Sequence, residues 1–147
     1  MTRERQARLL LAKGYSCEQA IFGAFAELLG CSTVGAALLA PSRKERRGTC
    51  GAYRAGVLLI STLTEPKGNN RLKKRGQKIE EKERLRKDQQ RQKAAQMEER
   101  FRALFIGEFG TLDCMSIRAS REKGWGGMDS VVGTTVLLLE RVLKERP

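Results

Sequence analysis

The sequence predicts an all-α fold, a compact helical bundle with one long, charged and partly projecting helix. Three observations carry that expectation. Apolar residues recur at three- and four-residue intervals in separate blocks, as on the buried face of a helix. The blocks are punctuated by helix-cap residues, with Ser16, Thr49 and Asp113 ahead of them and Gly14, Gly30 and Gly110 behind. Between residues 71 and 105 the chain is crowded with Lys, Arg, Glu and Gln, all good helix formers.

In chain order, Ala7, Leu10 and Leu11 give a first helix over residues 3–12 that stops at Gly14. Ser16 and Gln19 match a capping box, and Ala20, Ile21, Phe25, Leu28 and Leu29 form the stripe of a second helix ending at Gly30. A short third helix over 34–40 is terminated by Pro41. Thr49 caps a fourth that runs through Val57, Leu58 and Ile60 to Glu65-Pro66.

The long helix from Arg71 to Phe105 has sparse apolar positions (Leu72, Ile79, Leu85) until Met97, Phe101, Leu104 and Phe105, so only its last turns need a core. Gly107 and Gly110 break it, Asp113 caps a short helix from Cys114, and a final helix spans 130–144. The expected core includes Leu10, Ile21, Phe25, Leu28, Leu58, Phe105, Val132, Val136 and Leu139.

A chain of 147 residues can bury a core without a disulfide or a metal. Residues 1–147 read as a single domain, with an insertion-like charged segment at about 67–100. That segment supplies most of the net charge of +12. The N-terminus reads as an amphipathic helix instead of an export signal, and the longest apolar runs fall far short of the roughly 20 residues of a membrane span. A cytoplasmic protein with no membrane insertion is the expectation.

The chain has no histidine, which removes imidazole metal sites and every nucleophile–histidine pair. Special chemistry therefore falls on its four cysteines. Cys17 follows Ser16, Cys50 follows Thr49 and Cys114 follows Asp113, so each is expected at the first position of a helix. The positive end of the helix dipole favours an anion there by about 0.3–1 kcal/mol, which predicts thiols of lowered pKa. Arg54, one turn after Cys50, is a candidate for stabilising a thiolate. Gly51, Ala52, Ala55 and Gly56 leave the Cys50 helix bare enough for close approach of a ligand or another helix. No pair has CxxC spacing, so any joint site must be assembled by folding.

The segments Gly14-Tyr15-Ser16-Cys17-Glu18-Gln19-Ala20, Gly48-Thr49-Cys50-Gly51-Ala52 and Phe109-Gly110-Thr111-Leu112-Asp113-Cys114, in that order, resemble the C_GCAxxG_C_C family. The resemblance implies an all-helical, cytoplasmic, redox-active cysteine protein, with a redox partner linked to transport functions. It assigns Cys17, Cys50 and Cys114 as the family cysteines, with Gly51 and Ala52 opening the CGAxxG motif. The last motif glycine falls on Ala55, followed by Gly56. The fourth family cysteine is missing, with Met128 nearest its place, and the basic stretch Pro41 to Arg47 replaces a glycine-rich loop. Cys31 is additional.

Three readings follow. In the first, Cys17, Cys50 and Cys114 converge as redox thiols and the protein resembles a thiol–disulfide oxidoreductase. In the second, the same residues hold zinc or an iron–sulfur cluster, which with three cysteines requires Cys31, a carboxylate such as Asp113 or an open position. In the third, the basic stretch binds nucleic acid or an acidic partner. Against that last reading, acids interleave the bases at pairing distance and no aromatic precedes Phe101 to stack on a base.

Overall fold

The computed structural model describes residues 1–42, 44, 47–64, 81–122 and 127–145. Among them are eight helices and no strand, so the expected all-α class is the observed one. Helix α1 (Arg3–Ala12) is capped by Thr2, whose hydroxyl accepts from the Arg5 N–H. Its buried Ala7 and Leu10 face α2 (Cys17–Ala24) and α8 (Gly127–Lys144).

The second apolar stripe is two helices, not one. The chain leaves helical geometry at Phe25 (φ −103°, ψ 16°) and re-enters it in α3 (Ala26–Leu29), which Gly30 closes at φ 71°. Gly23, a weak helix former, sits where the Leu10 and Thr33 side chains crowd the last turn of α2. The break seats Phe25 in the core, with the Arg3 guanidinium 5.4 Å from its ring centroid, and turns Leu28 outward to 45% exposure. Leu28 is thus not the core residue its spacing suggests. Helix α4 (Thr33–Leu38) starts at a Ser32 cap and buries only its alanines, Ala36 and Ala37.

Helix α5 (Gly51–Thr64) buries Gly51, Ala52, Ala55, Gly56, Leu59 and Ile60, a stripe set one step away from the expected Leu58, which is 37% exposed. Small residues dominate the stripe because α6 (Glu81–Phe109) lies close against it. A Cβ on Gly56 would collide with the Phe101 ring. Tyr53 stacks on Phe101 with centroids 5.5 Å apart, and Phe101, Phe105 and Phe109 continue the aromatic row along α6.

Only the second half of α6 joins the core, through Met97, Phe101 and Phe105; no residue from 81 to 96 is buried. Residues 71–80, expected to begin this helix, lie outside the described residues. Gly107 does not interrupt it, and the helix ends at Gly110 (φ 77°). Helix α7 (Cys114–Glu122) anchors through Ile117. Helix α8 begins at Gly127, earlier than expected, and runs through the core with Val131, Val132, Val136, Leu139 and Val142 against α1, α5 and α6. No helix among the described residues is long and apolar enough to cross a membrane.

Candidate functional site

Cys17 is the first residue of α2 and is buried. Its position is fixed by the full capping box: the Gln19 N–H donates to Ser16 Oγ at 3.1 Å and the Ser16 N–H donates to Gln19 Oε1 at 3.0 Å. Directly after it, Glu18 is fully buried. The helix-cap and cysteine patterns do not single out this carboxylate, which stands in the first turn of α2.

Cys50 and Cys114 are brought into one neighbourhood by a feature with no strong sequence signal. Thr49 and Asp113 form an isolated antiparallel bridge. The Cys50 N–H donates to the Leu112 carbonyl at 2.7 Å and the Cys114 N–H to the Gly48 carbonyl at 2.8 Å. Successive side chains alternate faces in extended backbone, so Cys50 and Cys114 both turn to the face opposite Thr49 and Asp113. Gly48 (φ 85°) and Gly110 (φ 77°) supply the left-handed turns that bring the two segments together.

The bridge also corrects the expected capping. Thr49 is held extended and does not cap α5; Cys50 does. Its carbonyl accepts from the Arg54 N–H at 3.1 Å, and its sulfur accepts from the backbone N–H groups of Ala52 and Tyr53. Cys114 keeps the expected first helical position, with Asp113 as cap: Asp113 Oδ2 accepts from the Ser116 N–H at 2.9 Å and from the Ser116 hydroxyl at 2.8 Å. These bonds, the hydroxyl first, hold the Asp113 carboxyl below its ordinary pKa.

The expected lowering of the Cys50 pKa does not occur. Burial pushes the thiol up to about 11, outweighing the two N–H groups that favour the thiolate. Charge on Cys17 and on Cys114 raises it further, which sets both sulfurs within electrostatic reach of Cys50. Arg54 is not among the groups that act on this thiol.

Cys114 is half-buried whereas Cys50 and Cys17 are buried, so Cys114 is the member of the three that solvent touches most. Cys31 stands apart, exposed at the turn between α3 and α4. Gly51 and Ala52 are buried, and Ala52 serves through its N–H on the Cys50 sulfur. Ala55, at the place of the motif's last glycine, is buried, and the close approach to Phe101 is at Gly56. Met128 is half-buried against the core at the start of α8. Among the described residues no group of three Cys, Asp or Glu side chains is arranged to hold a metal ion.

A family model described as "Putative redox-active protein (C_GCAxxG_C_C)" covers residues 15–136. Searches of the curated proteins and of the solved structures returned no match. The matched stretch takes in the Ser16 capping box, the Thr49–Asp113 bridge and Cys17, Cys50 and Cys114, and the chain belongs to the C_GCAxxG_C_C family.

Proposed function

We propose that the protein is a dithiol–disulfide redox protein in which Cys114 attacks and Cys50 closes the disulfide. The observation that carries this reading is the Thr49–Asp113 bridge, whose two flanking hydrogen bonds tie Cys50 to Leu112 and Cys114 to Gly48, which makes the two cysteines diagonal neighbours across the bridge. Their difference in exposure divides the roles. The Cys114 thiolate attacks one sulfur of a partner disulfide; the partner's S–S bond breaks and one partner thiolate leaves. Cys50 then loses its proton to solvent and its sulfur attacks Cys114 Sγ, which expels the second partner thiolate. Two electrons pass from the protein's dithiol to the partner, and the reverse sequence returns them.

Burial keeps Cys50 protonated at neutral pH, which leaves the first attack to Cys114. The Ala52 and Tyr53 N–H groups stabilise its sulfur as charge develops on it. Cys17, whose charge raises the Cys50 pKa, is the third thiol in this reading.

The test is equilibration of Cys31→Ser protein in thiol–disulfide buffers, followed by acid trapping and peptide mapping. A reversible Cys50–Cys114 crosslink is expected, lost in Cys114→Ser. Failure of any buffer to produce an intramolecular disulfide among Cys17, Cys50 and Cys114 would remove the proposal.

A further inference from the structure

Helix α4 buries only Ala36 and Ala37, and its opposite face is apolar and uncovered: Val34 is 57% exposed, Leu38 78% and Leu39 62%. Gly35 shares that outward face, and the exposed Cys31 lies against it, since a Cβ on Gly35 would stand 3.9 Å from Cys31 Sγ. The face carries no charge. Residues 28–42 include no Asp, Glu, Lys or Arg, although 31% of the chain is charged. Beside Leu38 the surface falls into an open recess of about 480 Å³ between the start of α2 and the end of α4, and no residue that lines it is charged either. Opposite charges stand at the two ends of this neutral stretch, Glu27 in α3 and Lys44 beyond α4, both exposed.

We propose that this face binds a second copy of the chain, with the two α4 helices antiparallel about a two-fold axis near Gly35. A two-fold contact sets a surface against itself, so each face meets its own charge. The outward faces of α1, α6 and α8, which carry Arg5, Arg84 and Arg141, would oppose cation to cation. In a chain of net charge +12, the α4 face is one that meets itself without that repulsion, and joining two copies there takes Val34, Leu38 and Leu39 out of water.

The ends of the stretch fix the direction of pairing. Glu27 stands eight residues before Gly35 and Lys44 eight after Ala36, so antiparallel helices bring Glu27 of each copy toward Lys44 of the other, whereas parallel helices would set like against like. Gly35, which has no side chain, lets the two backbones approach at the axis. Cys31, one turn away, then lies near its counterpart. The contact stands apart from the dithiol reading, whose Cys50 and Cys114 sit at the starts of α5 and α7.

Sedimentation velocity of the reduced protein over a concentration series tests this. The parent should show a reversible dimer, and Leu38→Glu should abolish it while leaving the far-ultraviolet circular dichroism and the thermal midpoint unchanged, since Leu38 is 78% exposed. Glu27→Lys and Lys44→Glu should each weaken the dimer by about tenfold, and the two together should restore it. A short bis-maleimide should link Cys31 to Cys31 in the parent and fail to do so in Leu38→Glu, as located by peptide mapping.

A parent that stays monomeric up to about 1 mM would overturn the proposal. So would a dimer that persists in Leu38→Glu, which would place the contact elsewhere, or a double charge exchange that restores nothing. None of these outcomes touches the Cys50–Cys114 crosslink, which is read separately in Cys31→Ser protein.

Discussion

The ring of Phe101 occupies the space in which a Cβ on Gly56 would have to stand. Phe101 also stacks on Tyr53 and cannot swing away without disturbing that contact and its edge contact with Phe105. Gly56→Ala gains up to about 1 kcal/mol of helix propensity but overpacks a buried ring contact at a cost of about 1–3 kcal/mol. A net loss of stability is expected, read as a lower denaturant midpoint; a midpoint at or above the parent's would show that α5 and α6 part easily.

Stability should fall in alkaline solution through Cys50. Below pH 9 the thiol is protonated in folded and unfolded chains alike. Between pH 9 and about 11 the unfolded chain ionises while the folded one retains its proton, so rising pH removes about 3 kcal/mol across that window. Tyr53, raised by its own burial, acts in the same direction. The measurement is the difference between parent and Cys50→Ala, whose stability should depend less steeply on pH over the same range.

Alkylation should separate the four thiols without denaturant. At neutral pH the exposed Cys31 and the half-buried Cys114 should label, and the buried Cys17 and Cys50 should not. Labelling of Cys50 should accelerate as the pH approaches 11. Fast neutral modification of Cys50 in folded protein, located by peptide mapping, would contradict its burial.

Asp113→Ala removes the acceptor of both Ser116 bonds and frays the start of α7. The depressed carboxyl contributes stability that is present above its unfolded pKa and lost as the pH falls through the folded one. The parent should therefore weaken on acidification more than the variant. Yield of the Cys50–Cys114 disulfide should fall in the variant even at neutral pH, because the cap and the bridge share Asp113.

Much of this architecture is legible in the residues. The 3.6-residue stripes of α1, α2, α6 and α8, the capping box at Ser16 and the cap at Asp113 act within a few residues of chain, where local rules are strong. Leu28 and Leu58 misled because each is apolar and correctly spaced, yet a break at Phe25 and a one-step rotation of α5 are decided by neighbours distant in sequence. The candidate site divides the same way. Three cysteines after three plausible caps mark the place, but the change of α5's cap from Thr49 to Cys50 depends on a pairing with Asp113 that no local pattern announces. The dipole argument predicted an easily ionised Cys50; complete burial, a tertiary property, reversed it.

The bridge between Thr49 and Asp113 is also a clasp between distant parts of the chain, with α5 and the described part of α6 strung between its halves. A bond between Cys50 and Cys114 would close a loop of about 65 residues, and tying off such a loop restricts the unfolded chain by about 4 kcal/mol in the chain-entropy treatment. Oxidation state and resistance to unfolding would then be two readings of one variable. A cell that oxidised this protein would lengthen its lifetime against proteolysis, and one that reduced it would release the tether and shorten that lifetime.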